Sequence, residues 1–166
     1  MFLLRRASLP DAIRFDGVAS EEAIDELRYF IRGREFVIRS LLYRPFVYLA
    51  IHNPSQDHTQ MFRVRSFAHK ALSICMMARP SYSMTHRHHG TWYGLRESIS
   101  AGLLLVASKM AGLIPDEAAF PHGELDDSVY MHLVESHIQK LRYWEAEAPS
   151  DIKRGREVLE ELYANG

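Results

Sequence analysis

The chain is poor in cysteine and carries no excess of charge of either sign. Its 166 residues include one cysteine, Cys75, so they can form neither an internal disulfide nor a cysteine-based zinc cluster. Lys and Arg total 20 against 21 Asp and Glu, which gives a formal net charge of -1. Proteins that bind nucleic acid by themselves usually present a strongly basic face, so this balance argues against direct DNA binding.

The sequence also lacks long apolar runs and the common signatures of catalytic sites. The longest apolar run, Ala101–Ala107, is too short to span a bilayer, and MFLLRRAS does not have the form of an export signal. We therefore expect no membrane association and an intracellular location. There is no G-x-S-x-G motif, no glycine-rich phosphate loop and no pair of carboxylates at catalytic spacing. Cys75 lies among apolar residues, which is typical of a buried structural cysteine, and we predict no enzymatic activity.

What the sequence does contain is a succession of helical patterns. Its length predicts one domain, with an irregular lead-in over residues 1–19 and a helical domain over residues 20–166. Apolar residues recur at gaps of three and four, and no two strand-like runs are available to pair, so we predict an all-α fold of about six helices. The predicted helices cover residues 20–42, 46–51, 57–78, 91–113, 126–145 and 151–163.

The helix predicted over residues 91–113 has the longest apolar stripe, and we expect the other helices to pack around it. The stripe consists of Trp92, Leu95, Ile99, Leu103, Val106 and Met110, and Leu104 and Leu105 widen it. A stripe of this width predicts a central helix that is buried on most sides. Gly112 and Pro115 mark its end.

Similar stripes predict the buried faces of the other helices. In the first helix these are Ile24, Leu27, Ile31, Ile38 and Leu41; in the fifth, Tyr130, Val134, Ile138, Leu141 and Trp144; in the last, Ile152, Val158, Leu159 and Leu162. Pro45 is predicted to break the chain after the first helix, because proline disfavours helix in the residue before it. Either Asp57 or Thr59 begins the third helix.

His86-Arg87-His88-His89 is the only cluster that suggests a metal site. Neighbouring histidines can share an ion only with ligands from elsewhere, and the helical zinc signature of two histidines four apart around a glutamate is absent. The simpler interpretation is a polar entry to the central helix. A metal-dependent enzyme centred on His86, His88 and His89 remains an alternative function for this chain, less favoured than the others.

Four segments, taken in order, resemble one family. They are residues 43–52 (YRPFVYLAIH), residues 86–92 (HRHHGTW), the Leu/Ala-rich helix that follows, and residues 141–154, which contain the motifs LRYWE and APSDIKR. Together they resemble the C-terminal part of the regulatory region of fungal-specific transcription factors that carry a six-cysteine binuclear zinc cluster. The resemblance covers about residues 20–163. Its motif positions are Arg44, Pro45, Phe46, Tyr48, His86, Arg87, His88, His89, Gly90, Trp92, Tyr143 and Trp144.

This resemblance implies an all-helical regulatory domain, a nuclear location and a role in the regulation of transcription. The partners it implies are the remainder of a transcription factor or other transcription proteins, and a small-molecule effector. The DNA-reading module of the family needs six cysteines for two zinc ions, whereas this chain has one. We therefore expect no cofactor here, with zinc confined to a cluster outside this chain, and no catalytic or ligand residue is carried over.

The matching region of the family is the tail of a longer helical domain. If the preceding helices are missing, part of the apolar surface is uncovered, which predicts self-association. Two alternatives to the transcription-factor interpretation remain from the residues themselves. One is a small-molecule sensor with an aromatic and histidine-lined pocket between helices; the other is a protein-interaction domain.

Overall fold

The computed structural model describes Pro10 and residues 26–52, 57–77, 89–113 and 127–165. These residues form five α-helices and contain no strand, which confirms the all-α fold class. The helices are α1 (Glu26–His52), α2 (His58–Met77), α3 (His89–Met110), α4 (Asp127–Trp144) and α5 (Ser150–Asn165). The predicted lead-in, apart from Pro10, and the predicted helix start with Ile24 lie outside the described residues.

α1 is one helix where the sequence predicted two. It continues through Pro45, so the break predicted there is wrong. Proline lacks the N–H that would bond the carbonyl of Leu41. Pro45 and Leu41 are both exposed, so water can satisfy that carbonyl and the helix can continue. Phe46–Ile51 is helical as predicted but extends α1, and the prediction of six helices is not confirmed.

The face by which α1 packs also differs from the predicted one. Ile38 and Leu41, predicted to be buried, are 47% and 55% exposed, whereas Ser40 and Val47 are buried. Val47 forms a small core with Ala68 and Ala71 of α2. The partly buried residues packed against this core are Tyr43, Phe46, Ala50, Ile51 and Leu104. α1 carries apolar residues on both of its sides, so periodicity alone could not identify the buried one.

The N-terminus of α2 is capped by Asp57. Its carboxylate accepts hydrogen bonds from the backbone N–H of Thr59 at 2.8 Å and of Gln60 at 3.2 Å. These bonds satisfy two of the donors that a helix start leaves without an intrahelical partner. Of the two residues predicted to begin this helix, Asp57 is therefore the cap.

α3 ends at Met110, and the turn that follows it is formed at Gly112, one of the residues predicted to mark the end of this helix. Gly112 has a positive φ of 63°, and its N–H donates to the carbonyl of Lys109 at 2.9 Å. The N–H of Leu113 donates to the carbonyl of Ser108 at 2.8 Å. This pair of bonds is a Schellman motif, whose left-handed position favours glycine. Leu113 is buried, so the turn also anchors the chain after α3.

The larger core lies between α3, α4 and α5, with α2 at its side. The predicted stripe of α4 is confirmed, since all five of its residues are at most 6% exposed. In α5 Ile152 and Leu159 are fully buried as predicted. Leu162, however, is 37% exposed, so the predicted stripe of α5 extends one turn too far.

α3 contacts each of the other four helices. Its buried residues are mostly small ones, namely Thr91, Leu95, Ser98, Ala101, Gly102, Leu105, Val106 and Ser108. Tyr93 is 72% and Met110 is 61% exposed, so a helix buried on most sides is not confirmed and Met110 is wrongly placed in the stripe. Leu95, Leu105 and Val106, which the sequence placed in or beside the stripe, are buried as predicted. Hydrophobic periodicity missed the small polar residues of this face, which can line a close helix contact.

Candidate functional site

The first motif segment lies in the half of α1 that packs against α2. The Phe46 ring contacts the Phe67 ring, with centroids 4.7 Å apart. Pro45 and Tyr48 instead lie on the surface, and Tyr48 is 64% exposed. The Tyr48 ring lies 4.4 Å from the His52 ring one turn later. Of the three motif positions Pro45, Phe46 and Tyr48, only Phe46 packs against α2.

Arg44, of the same segment, joins α1 to α3. Its Nη2 lies 3.8 Å from Oε2 of Glu97, which makes an ion pair that is too long for a hydrogen bond. The thiol of Cys75, on α2, lies within the electrostatic reach of both groups. Burial raises the pKa of Cys75 to about 12, while Arg44 opposes this shift and Glu97 adds to it. The thiol is therefore protonated at neutral pH and a poor nucleophile.

The second and fourth motif segments meet in an aromatic cluster. The rings of Trp92 on α3 and Trp144 on α4 lie edge to face, 6.2 Å apart. Tyr143 packs against Trp144 in the same manner at 5.3 Å. Trp144 is 6% exposed, whereas Tyr143 is 68% exposed. Edge-to-face pairs of this kind contribute roughly 1 kcal/mol beyond the burial of their area.

Ion pairs fix α5 against α3 and the end of α4. Arg96 Nε donates to Oδ2 of Asp151 at 2.8 Å, and this hydrogen bond lowers the pKa of Asp151. Arg156, whose side chain is 13% exposed, donates a hydrogen bond from Nη2 to Oε1 of Glu145 at 3.1 Å and also bonds Glu160. A spacing of four on one helix is enough to indicate the Arg156–Glu160 pair. It could not reveal Glu145, which the turn between the helices brings to Arg156.

The histidine cluster lies at the edge of the described residues. His86, Arg87 and His88 lie outside them, and of His89 only the backbone, at the start of α3, is described. Gly90 follows in the first turn of α3. The described part of the chain contains no group of three His, Cys, Asp or Glu side chains placed to hold a metal ion. The metal hypothesis on His86, His88 and His89 is thus untested.

His137 is the buried titratable residue that sequence reasoning missed. It lies on α4, is 2% exposed, and neither ring nitrogen has a hydrogen-bond partner among the described residues. Burial, and then the nearby charge of Lys140, lower the pKa of His137 to about 4. The imidazole is therefore neutral in the folded protein at physiological pH. Its position beside the α4 stripe, one residue before Ile138, was the signal that could have indicated burial.

One cleft in the described part of the chain lies between α4 and α5. Its volume is ≈ 270 Å³, and its lining residues are Glu135, Ile138, Gln139, Arg142, Glu160 and Tyr163. The lining is mostly polar, contains one aromatic residue and contains no histidine. It is therefore not the aromatic and histidine-lined pocket that the sensor hypothesis predicts.

The comparisons with known proteins give no family for this chain. No family model matches it, and no curated protein and no solved structure matches it either. Among the described helices, none has both the length and the apolar character needed to span a bilayer.

Proposed function

We propose that this chain is a non-catalytic regulatory domain of a fungal-type zinc-cluster transcription factor, which acts in the nucleus without a DNA-binding module of its own. The family, the function and the location rest on the resemblance of the four motif segments. Partners under this proposal are the remainder of a transcription factor or other transcription proteins.

The supporting observation is that motif residues far apart in sequence lie against one another. Trp92 of the second segment contacts Trp144 of the fourth. Arg44 of the first reaches Glu97 on the helix that follows the second. If these residues recur because they hold helices together, the segments mark a shared helical scaffold rather than a catalytic centre. We further propose that α3, which contacts every other described helix, is the centre of this domain.

The net charge and the cysteine count of the chain are consistent with a regulatory domain that does not itself bind DNA. A formal net charge of -1 gives no general attraction to the phosphate backbone. Two zinc ions held by six cysteines cannot be bound by a chain with a single cysteine, which is buried and protonated. Sequence-specific recognition of DNA would therefore require a different polypeptide segment.

A tethering assay tests the proposal. The chain is fused to an unrelated DNA-binding module and expressed in yeast with a reporter gene under the cognate site. We expect reporter transcription to change several-fold relative to the module alone, in either direction. The purified chain without the module should leave a DNA probe library unshifted at physiological salt.

Two aromatic variants of the fusion test whether the reporter effect requires the folded domain. Trp144→Ala removes a nearly buried ring of the aromatic cluster and should abolish the reporter effect, because such truncations cost about 3–5 kcal/mol of stability. Tyr143→Ala, at the exposed neighbour, should retain it. An unchanged reporter with a soluble, nuclear wild-type fusion would refute the proposed regulatory role, and specific DNA binding by the chain alone would refute the missing module.

A further inference from the structure

The solvent-facing side of α2 is basic, and α2 contains no acidic residue. Its 20 residues include Arg63, Arg65 and Lys70, which are all exposed, and no Asp or Glu. Each of the other four helices contains at least one acidic residue. Beside these cations lies Phe62, which at 76% is the most exposed large apolar side chain of the described residues. We name Phe62, Arg63, Arg65 and Lys70 the α2 basic face.

The two arginines of the α2 basic face have no carboxylate partner. An exposed arginine elsewhere does have one, since Arg96 on α3 donates from Nε to Oδ2 of Asp151 at 2.8 Å. Within the described part of the chain, neither Arg63 nor Arg65 forms an ion pair. Their positive charges are therefore available to a negatively charged partner.

Helix geometry places these cations on both sides of the Phe62 ring. Seven residues, about two turns, separate Arg63 from Lys70, so these two lie on one side. About the helix axis, Phe62 lies roughly 100° from Arg63 and roughly 60° from Arg65, between the two arginines. A partner that contacts the ring can therefore reach a positive charge in either direction.

The opposite side of α2 holds the α2 basic face in place. Ala68 and Ala71 pack into the small core with α1, and Leu72 packs into the larger core, each at most 1% exposed. The apolar side of α2 is thus already used by the fold. The basic face is preformed on a packed helix, so that binding requires little ordering of the backbone.

We propose that the α2 basic face binds an acidic peptide segment of another protein, in which Asp and Glu flank an apolar side chain. The apolar side chain packs on Phe62, and carboxylates on either side of it pair with Arg63 and Arg65. This inference goes beyond the regulatory role proposed above and does not depend on it. Exposed ion pairs are individually weak, so the complex is transient, with a dissociation constant on the order of 100 μM that rises with added salt.

A nucleic acid or an anionic membrane complements this face less well than an acidic peptide does. Nucleic-acid binders commonly neutralise about six to ten phosphates, whereas α2 offers three full cations on a chain of formal net charge -1. An amphipathic helix enters a bilayer surface by a wide apolar side, but that side of α2 is packed in the two cores. A short peptide needs only a few cations and one apolar contact.

Fluorescence anisotropy of a labelled peptide tests the proposal. The probe has about ten residues, with Asp and Glu surrounding one leucine, and the full chain is titrated to about 1 mM at low salt. The test variant is Arg63→Gln with Arg65→Gln. Its matched control is Lys153→Gln with Arg154→Gln, which removes the same charge from exposed positions of α5. We expect wild type and control to bind with the same constant, and the test variant to bind about tenfold more weakly.

A further variant separates the apolar contact from the charges. Phe62→Ser should weaken binding of the leucine probe about fivefold, because the leucine loses its apolar partner. The same variant should bind a probe with serine in place of the leucine as the wild type does. All substituted positions are exposed, and unchanged circular dichroism spectra show that every variant folds.

Several outcomes would overturn the proposal. They are no binding of the acidic probe by the folded wild type, equal binding by the wild type and the Arg63→Gln with Arg65→Gln variant, equal weakening by the α5 control, and no effect of Phe62→Ser on the leucine probe. Tighter binding of a single-stranded oligonucleotide or of vesicles with anionic lipid than of the peptide, lost in the same arginine variant, would also overturn it. The face would then serve a different class of partner.

Discussion

At the scale of single residues, His137 makes the stability of the protein depend on pH. Its pKa is lowered from 6.5 to about 4 in the folded chain, chiefly by burial. The unfolded chain therefore binds a proton at a pH where the folded chain does not, so acid favours unfolding. The stabilising effect of the neutral imidazole is complete above pH 6.5. It is lost progressively as the pH falls from there to about 4.

We predict that His137 alone accounts for a loss of about 2 kcal/mol in the free energy of unfolding between pH 7.5 and pH 5. Urea denaturation at the two pH values measures it, with His137→Leu as the test variant and His132→Leu, at an exposed histidine of the same helix, as the control. Only His137→Leu should make stability less sensitive to pH. Equal pH dependence in wild type and His137→Leu would show that the histidine is not desolvated as described.

The burial of His137 could not be predicted from the sequence, whereas the burial of its apolar neighbours on α4 could. Tyr130, Val134 and Trp144 were assigned to the core correctly because all three are apolar and share one helix face. His137 lies beside that face, but a polar side chain contributes nothing to a hydrophobic stripe. Its desolvation arises from the residues packed around it in three dimensions, which the order of residues along α4 does not contain.

At the scale of helices, the approach of α5 to α3 depends on a glycine. A Cβ atom at Gly102 would lie 2.6 Å from Cδ2 and 3.1 Å from Cδ1 of Leu159. Leu159 is fully buried, so it has little room to move away. Gly33, in α1, is the matched position, because a Cβ there would meet no heavy atom of the described residues within 4 Å.

We predict opposite signs for alanine at the two glycines. Gly102→Ala should lower the free energy of unfolding by about 1–2 kcal/mol, since overpacking outweighs the helix propensity gained. Gly33→Ala should raise it by about 0.5–1 kcal/mol through helix propensity alone. Urea midpoints of the two variants provide the comparison. Equal stabilisation by both would mean that α3 and α5 do not approach each other as closely as described.

Helix existence could be predicted from the sequence more securely than helix packing. The ends of α2 and α3 were indicated by Asp57 and Gly112, because caps and left-handed positions depend on local chemistry. The buried side of α1 was not, because apolar residues occupy both of its sides and only the presence of α2 decides between them. The continuation of α1 through Pro45 was missed for a similar reason, since it depends on which side faces water.

At the scale of the whole molecule, α2 connects two separate cores. Its Ala68 and Ala71 belong to the small core with α1, whereas Leu72, Cys75 and Met76 belong to the larger core with α3, α4 and α5. The sequence predicted one domain and an all-α class, but it gave no means of assigning residues to two cores. Contacts such as Trp92 with Trp144 join segments about fifty residues apart, and no local pattern encodes them.

The proposed origin of this chain in a zinc-cluster transcription factor can be tested on the gene that encodes it. Mapping the 5′ end of the native transcript, and reading the frame upstream of Met1, tests it most directly. We expect an open frame that continues upstream and encodes six cysteines spaced to hold two zinc ions. A transcript that begins just before Met1, or an in-frame stop codon with no such cluster before it, would contradict the proposal that this chain is part of a DNA-binding transcription factor. It would leave a stand-alone protein that acts by binding other proteins or a ligand.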